Sequence, residues 1–206
     1  MRLGSPPMIS FEAVTRLHSD CVARWHQQPI DNSYDGFLKA VCEQLSYNYR
    51  LWHEEDKARS PTASDTEIAQ VKRAIDKLNQ QRNDWIEKLD DWITEELARG
   101  NIVAPPAAPQ NTETLGSSID RLSILALRIY HLAEQRDRPD ATPEHREGVT
   151  RKLAIALAQH DDLSRSAQQL ADDLFAGRKR HKTYRQLKMY NDPALNPYLY
   201  QAQAKK

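Results

Sequence analysis

The stretch TLGSSIDRLSILALRIYHLAE, residues Thr114 to Glu134, decides the fold of this chain. Written as a helix, it carries apolar side chains on two faces. One face holds Ile119, Leu122, Leu125 and Ile129, and the other holds Ile124 and Leu127. A helix that is apolar nearly all round has to be covered by neighbours on all sides. We therefore predict that this segment is the central helix of an all-α bundle.

Three amphipathic helices are predicted on its N-terminal side, because apolar residues recur there at helical spacing. Their predicted spans are residues 10–29, 36–59 and 64–100. Ser10 is placed to cap the first helix, and Ser64 with Glu67 is a capping box at the start of the third. The short link over residues 60–63 makes the second and third helices an antiparallel hairpin.

The C-terminal side of the central helix predicts one more long helix and then a basic segment. Thr142 and Pro143 supply an N-cap and an N1 proline, and this helix is expected to end near Gly177. Sustained period-two alternation is missing from the sequence, so strands are not expected. We predict an antiparallel bundle of about five long helices that forms one domain over residues 10–200.

Composition excludes several classes of function. Lysine and arginine total 29, and so do aspartate and glutamate, which leaves no global field to attract nucleic acid or an anionic membrane. The sequence holds no apolar run near the roughly 18 residues of a membrane span and no signal-peptide core. Cys21 and Cys42 lack partners at metal-ligand spacing, which is typical of free thiols in a reducing compartment. The sequence thus predicts a cytoplasmic protein with a flexible leader over residues 1–9 and a disordered tail over residues 201–206.

The predicted second helix turns polar in its second half. Asn48, Trp52, Glu55 and Arg59 share one helical face, with Asp56 beside them. As a ligand-binding wall, this face would offer Trp52 as a sugar-stacking plate and Arg59 for an anion, while Glu55 or Asp56 would serve as acid, base or hydroxyl acceptor. The same pattern is also typical of a buried polar cluster that fixes helix register, or of a helix end that reaches solvent.

Charged residues also interrupt two other predicted helices. Arg82 breaks the apolar seam of the third helix, which predicts a carboxylate or carbonyl partner, and it is also a candidate ligand-binding residue. Asp120 and His131 lie about three turns apart on the central helix and share a face, with Arg121 next to Asp120. They could join the polar face of the second helix as one centre, in which His131 transfers protons and Arg121 holds an anion. Alternatively, Asp120 holds an arginine from a neighbouring helix in a structural ion pair.

The basic segment after Gly177 mixes cations with aromatic side chains, which suits a phosphate, a nucleotide or RNA. Its candidate ligand-binding residues are Lys182, Arg185, Lys188, Tyr190 and Asn191. The alternative is a solvated segment that complements the C-terminal dipole of the fifth helix. The dipeptides Asp192-Pro193 and Asn196-Pro197 form turns that could fold this segment back over the bundle.

Metal chemistry is not predicted. The paired Glu-x-x-His motifs of di-iron bundles are missing from the sequence, and His53, His131 and His160 suggest a ligand set only loosely. A glycine-rich phosphate loop and a nucleophile elbow are missing as well. The sequence assigns no cofactor, and it leaves open whether the chain is an enzyme and what its oligomeric state is.

Three segments stand out as a set. They are NYRLWHEEDKAR (residues 48–59), ETLGSSIDRLSILALRIYH (residues 113–131) and YRQLKMYNDPALNP (residues 184–197). Together they resemble a bacterial family known as domain of unknown function 4254, although Leu115 departs from a proline found in many members. The resemblance gives no residue a role. It implies a place beside glycosyltransferases of the heptosyltransferase type, and hence a part in envelope polysaccharide assembly.

These features predict a small-molecule site between the second and fourth helices, closed by the C-terminal segment. The expected ligand is anionic, a phosphorylated or nucleotide-activated sugar, and Glu55, Asp120 and Lys188 are expected to converge on one cavity. If the chain catalyses a reaction, a carboxylate of the second helix would do acid–base work with His131. The rival hypothesis is a non-catalytic adaptor that binds a glycosyltransferase or another protein through its aromatic tail, Tyr198 to Tyr200. Nucleic-acid binding is disfavoured.

Overall fold

The computed structural model describes residues 9–189 and 192–203, and in these ranges the chain forms six α-helices. Their bounds are α1 Phe11–Trp25, α2 Gly36–Ala58, α3 Asp65–Arg99, α4 Leu115–Asp137, α5 Pro143–Phe175 and α6 Pro197–Gln203. An isolated bridge between Gln110 and Arg180 is the one β-pairing within the described ranges. The predicted all-α bundle is confirmed, with α1 to α5 as its long helices and the short α6 in addition.

Helix boundaries follow the capping residues of the sequence. The hydroxyl of Ser10 accepts a hydrogen bond from the backbone of Ala13, 3.2 Å away, at the start of α1. Ser64 and Glu67 form the predicted capping box before α3. Thr142 caps α5, whose first residue is the predicted proline. All three predicted helix starts are therefore confirmed.

The central position of α4 is confirmed as well. It contacts α1, α2, α3 and α5, and on its apolar faces Ile119, Leu122, Leu125 and Leu127 are buried, while Ile124 and Ile129 are half-buried. Such coverage is what a helix without a polar side requires. The helices joined by short links pack along each other, α2 with α3 and α4 with α5.

One hydrophobic core joins residues from all five long helices. Cys21 and Cys42 are buried in it as free thiols, with their sulfur atoms 3.8 Å apart. Within the described ranges, no helix combines the length and the apolar character that a membrane span needs.

The two ends of the chain are partly described. Ile9, the last residue of the expected leader, is buried in the core, and residues 1–8 lie outside the described ranges. At the other end, α6 includes residues 201–203 of the expected disordered tail, and residues 204–206 lie outside the described ranges.

After α5, the chain turns back along α3. Gly177 takes the left-handed conformation, with φ of +68°, which glycine adopts without steric cost. Residues 178–189, here called the C-terminal strap, then run antiparallel to α3 without forming an α-helix. The contacts that show this direction are His181 with Asp90, Arg185 with Glu87 and Asp91, and Lys188 with Asn79.

Candidate functional site

A pocket opens where the polar half of α2 faces α3 and α4. It has a volume of about 340 Å³ and is called the α2–α4 pocket below. Its lining residues are Asn48, Leu51, Trp52, Glu55, Asp56 and Arg59 of α2, Asn79 and Arg82 of α3, and Ile124 and Leu127 of α4. The face of α2 that the sequence singled out therefore lines a cavity, and Arg82 reaches the same cavity from α3.

Asp120 lies behind this pocket in a buried hydrogen-bond network. Its carboxylate, in a residue only 3% exposed, accepts hydrogen bonds from Gln44 Nε2 at 2.7 Å and from Asn48 Nδ2 at 2.8 Å. Arg82 donates to it through Nε at 2.7 Å and through Nη2, which makes a two-point ion pair. Asn48 also donates to the hydroxyl of Ser123, 2.7 Å away. Asp120 thus holds an arginine from a neighbouring helix, and Arg82 has the carboxylate partner that the sequence predicted.

The network fixes Arg82 at the pocket wall. Hydrogen bonding to Asp120 raises the pKa of the guanidinium, which remains positively charged. Asp120 uses two of the five N–H groups that a guanidinium offers, so the others can face a ligand. Arg82 is therefore a structural partner and a pocket residue at the same time.

The C-terminal end of α2 adds a second ion pair to the lining. Arg59 Nη1 lies 2.8 Å from Glu55 Oε2 and 2.6 Å from the backbone oxygen of Glu55. The arginine side chain is 69% exposed, and Asp56 beside the pair is exposed too. Ion pairs in contact with water are weak, so this one can exchange a partner for a ligand.

The C-terminal strap brings one cation to the edge of the pocket. Lys188 Nζ lies 3.5 Å from the backbone oxygen of Asn79, which is a lining residue. Glu55 lines the same pocket, and Asp120 bonds to two of its lining residues. Of the three residues expected to converge, Glu55 alone lines the pocket, while Asp120 and Lys188 contact lining residues, so their convergence on one cavity stays a prediction.

The other basic residues of the strap are engaged elsewhere. Arg185 pairs with Glu87 at 3.1 Å and with Asp91 at 2.7 Å, both on α3. Lys182 Nζ lies over an aromatic ring of the strap itself. Neither residue lines the α2–α4 pocket. Tyr190 and Asn191, also singled out by the sequence, lie outside the described residues.

Arg121 faces a different side of α4. It lines a groove of about 860 Å³ between α4 and α5, and it pairs with Glu113 at 3.3 Å. This groove is larger than the α2–α4 pocket, but its lining includes no aromatic side chain. The indole and the buried Arg82–Asp120 pair belong to the smaller cavity, which is therefore the candidate site.

His131 lies beside Trp52 and is not among the lining residues of the pocket. Its ring stacks on the indole, with centroids 4.9 Å apart and planes inclined by 8°. The rings of His26 and His53 contact it at centroid distances of 5.0 and 5.8 Å. Burial lowers the pKa of His53, and the neighbouring imidazoles of His26 and His131 lower it further. Proton transfer by His131 stays a prediction, and the structure places its ring in a set of three imidazoles.

Comparison with known proteins identifies the family of this chain. A family model described as "Protein of unknown function (DUF4254)" matches residues 38–183. The chain belongs to the DUF4254 family. Searches of curated proteins and of solved structures found no match. The family that the three sequence segments resemble is therefore confirmed.

The DUF4254 match contains every residue that lines the α2–α4 pocket, because the lining extends from Asn48 to Leu127. It ends at residue 183, before Lys188, and it begins after His26. The pocket is thus built within the part of the chain that the family model matches, whereas Lys188, which contacts the backbone of Asn79, and His26, which does not line the pocket, lie outside that part.

The sequence did not reveal every residue of this DUF4254 site. Gln44 precedes Asn48 by one helical turn, and Asn79 precedes Arg82 by about one turn, so helical spacing could have indicated both. Ser123 follows Asp120 at the same spacing. His26 carried no such signal, because it caps the end of α1 and its imidazole neighbours come from other helices.

Proposed function

We propose that this DUF4254 protein binds a phosphorylated or nucleotide-activated sugar in the α2–α4 pocket. The observation that carries the proposal is the set of groups around one cavity. An indole and two carboxylates line it, two arginines reach it, and a lysine stands at its edge. A sugar phosphate offers an apolar ring face, hydroxyl groups and an anion, which these groups complement one by one.

The sugar ring is expected to lie against Trp52. An aromatic ring contacts the C–H face of a pyranose, and carboxylates accept hydrogen bonds from its hydroxyl groups. Glu55 and Asp56 supply these carboxylates, while Ile124 and Leu127 add apolar contacts from α4.

The phosphate is expected between α2 and α3. Arg59 can exchange its exposed pairing with Glu55 for a phosphate, since guanidinium groups bind phosphates at two points. Arg82 is held in position by Asp120, so it loses little freedom when it binds. Lys188 adds a third positive charge at the edge.

The size of the pocket favours a small ligand. Its volume of about 340 Å³ is near the lower end of the range of about 300–1,000 Å³ that is typical of small-molecule sites. A monosaccharide phosphate, or the sugar end of a nucleotide sugar, suits it better than a polymer. If the ligand reacts there, Glu55 or Asp56 would act as the acid or base. The proposed setting is the assembly of an envelope polysaccharide, as the family resemblance implies.

Thermal denaturation with a ligand panel tests the proposal. The panel contains sugar 1-phosphates, nucleoside diphosphate sugars, the matching free sugars and inorganic phosphate. A phosphorylated sugar should raise Tm more than its free sugar or phosphate alone, because only it fills both parts of the pocket. A panel without any shift in Tm contradicts the proposal.

A pair of matched variants separates pocket binding from general charge effects. Arg59→Gln should weaken the ligand response at least about tenfold, since one phosphate contact is lost. Arg151→Gln is the control, because Arg151 pairs with Glu147 at the same helical spacing and is 66% exposed, close to the 69% of Arg59. If both variants lose the ligand-induced rise in Tm to the same extent, the ligand binds outside the pocket.

The adaptor hypothesis has an observation of its own. Large apolar side chains near the C-terminus are exposed to solvent: Leu187, Met189, Leu195, Tyr198, Leu199 and Tyr200. The adaptor hypothesis requires these side chains to form one contiguous apolar patch, which is typical of protein interaction sites. Gentle purification from native cells should recover a glycosyltransferase if the chain is an adaptor, and Tyr198→Ser should release it. Recovery of that partner, together with a ligand panel that causes no shift in Tm, would favour the adaptor hypothesis over the sugar site.

A further inference from the structure

Three imidazoles meet beside Trp52. One ring nitrogen of each of His26, His53 and His131 lies within 4.8 Å of those of the other two. His26 caps the end of α1, His53 lies on α2 and His131 on α4, so three separate elements supply them. None of the three lines the α2–α4 pocket or the groove between α4 and α5.

The hydrogen bonds of two rings define which nitrogen is available. His26 Nδ1 lies 2.7 Å from the backbone oxygen of Val22, and His131 Nδ1 lies 3.2 Å from Glu134 Oε2. Both oxygens are acceptors, so each Nδ1 carries the proton and each Nε2 carries a lone pair.

The Nε2 atoms of all three histidines share a second property. Each is buried, and none has a hydrogen-bond partner among residues 9–189 and 192–203. Buried polar atoms without partners are uncommon in folded proteins, and each one needs an explanation. A single cation between the rings would give all three nitrogens a partner at once.

We infer that the Nε2 atoms of His26, His53 and His131 bind one divalent transition metal ion, with Zn²⁺ as the expected ion. Imidazole nitrogen is a preferred ligand of Zn²⁺, at about 2.0–2.1 Å, and three histidines leave one position of a tetrahedron for a further ligand. At that bond length the ligating nitrogens are about 3.3 Å apart. Side-chain rotation would therefore have to draw nitrogens that lie within 4.8 Å of one another somewhat closer together.

The surroundings match those of known metal sites. A histidine ligand commonly donates its other N–H to a carboxylate or a backbone carbonyl, which orients the ring. Glu134 fills this place for His131, and the carbonyl of Val22 fills it for His26. The site is independent of the proposed sugar, although the stacking of His131 on Trp52 joins it to the pocket wall.

Metal titration of the full chain, purified without a histidine tag, tests the inference. Protein freed of metal with a chelator is titrated with Zn²⁺ against a chromophoric competitor, and with Co²⁺ by visible absorption. We expect one equivalent of either ion to bind, with the absorption bands of a tetrahedral nitrogen-ligated Co²⁺ that disappear when Zn²⁺ is added. Zn²⁺ should also raise Tm, because it binds the folded state.

Four variants and one control locate the ion. Each of the variants His26→Gln, His53→Gln and His131→Gln should bind Zn²⁺ more than about 100-fold more weakly. Loss of a metal ligand has a larger effect than loss of a residue that only hydrogen-bonds to a ligand, which costs about 10–100-fold. Glu134→Gln should lower it by about tenfold. His160→Gln is the control, because its side chain is 19% exposed, like that of His131, and lies on α5. It should bind Zn²⁺ as the wild type does.

Either of two results would overturn the inference. One is a wild-type chain that binds neither ion in molar excess, which would make the cluster a packing of neutral rings. The other is unchanged affinity in the three histidine variants, which would place the ion elsewhere. Circular dichroism verifies that each variant is folded, and the wild-type titration decides the question even if one of them is not.

Discussion

Among single residues, Arg82 shows how a substitution depends on the partner it leaves behind. From the sequence alone, Arg82→Leu is expected to restore or raise stability if the role of Arg82 is only structural. In the structure, the same change leaves Asp120 buried with two amide donors and without its cation. We expect a loss of about 3 kcal/mol in the free energy of unfolding, the lower end for a broken buried pair because the amides remain. Urea denaturation followed by circular dichroism measures it.

A double variant supplies the control for that prediction. Arg82→Leu combined with Asp120→Asn removes both charges and keeps an acceptor for Gln44 and Asn48. Most of the lost stability should return, because a neutral pair has no uncompensated charge. If the single and double variants are equally unstable, packing at residue 82 matters and the charge does not.

His18 makes stability depend on pH. Burial lowers its pKa from 6.5 to about 3, and the nearby imidazole of His160 contributes to the shift. Below pH 6.5 the unfolded chain takes up a proton that the folded chain refuses, so the free energy of unfolding falls until pH reaches about 3. At about 1.4 kcal/mol per pKa unit, the total loss is on the order of 5 kcal/mol.

The variant His18→Leu tests this assignment. Both ring nitrogens of His18 are buried without a hydrogen-bond partner in the described part of the chain, so leucine should fit without orphaning a group. Urea midpoints measured across this pH range should decline less steeply in the variant. An identical decline in both proteins would assign the pH dependence to other groups.

The site residues that the sequence predicted share a common property. Asn48, Trp52, Glu55 and Arg59 repeat at helical spacing. Residues at this spacing share one face of a helix, however the helix packs against its neighbours. Arg82 was predicted to need a carboxylate or carbonyl partner, but the identity of that partner depended on how α3 packs on α4. His26 was missed for the same reason, since its neighbours are set by tertiary contacts.

Among the elements, the contact between α3 and α4 depends on the absence of a side chain at Gly116. A Cβ there would lie 2.5 Å from the backbone oxygen of Ile86 and 2.8 Å from Asp90 Oδ1. Gly116→Ala should therefore force the helices apart and cost about 1–3 kcal/mol or more, as overpacking does. Gly148→Ala is the control, because a Cβ at that position of α5 meets nothing within 4 Å.

The two alanine variants should move stability in opposite directions. Gly148→Ala should gain about 0.5–1 kcal/mol, because alanine favours the helix. Thermal unfolding followed by circular dichroism compares both with the wild type. If Gly116→Ala leaves the stability unchanged, α4 can move relative to Ile86 with little loss of stability.

The strap is held to α3 mainly by charge. Arg185 pairs with Glu87 and Asp91, and the backbone N–H of Gln186 donates to Glu87 at 2.7 Å. Arg185→Ala should expose the strap to trypsin with little change in Tm, because exposed ion pairs contribute little to stability. Lys182→Ala serves as control, since its ammonium lies over a ring within the strap. Equal cleavage of both variants would contradict this docking.

Elements were predictable where caps mark their ends. Ser64 with Glu67 and Thr142 with Pro143 give local signals, and the helices begin there. The path of the strap carried no such signal, because charged side chains on α3 hold an otherwise irregular segment. Helix α6 is preceded by Asn196, whose side-chain oxygen accepts a hydrogen bond from the backbone of Tyr198 at 3.0 Å. The sequence indicated only a turn there.

For the whole molecule, the all-round apolar character of α4 was enough to predict an all-α bundle around it. A helix of that kind has few other stable surroundings in water. The pocket, by contrast, depends on which faces of α2, α3 and α4 meet, and periodicity alone does not fix the rotation of a helix against its neighbours. The fold was therefore predictable in outline. Of the pocket lining, the sequence singled out the α2 face and Arg82, but not the way in which they meet.

The distribution of buried residues predicts uneven stability. In α3 the buried residues begin at Ile75, and the tip of the hairpin, residues 57–74, contains no buried residue. Most residues of α4 between 115 and 127 are buried. Amides at the tip should therefore exchange with solvent through local opening, whereas those of α4 should exchange only when the whole bundle unfolds.

Hydrogen exchange with mass spectrometry checks this difference. Urea below the unfolding midpoint should speed exchange in α4 and leave the tip almost unchanged, because local opening exposes little new surface. The pocket lies where the two regions meet, with Glu55 and Asn79 on the two helices that lead into the tip. A bound sugar phosphate would bridge these helices and should slow exchange over residues 57–74 more than in α4. Equal protection of the tip and α4 without ligand would contradict the predicted difference in stability.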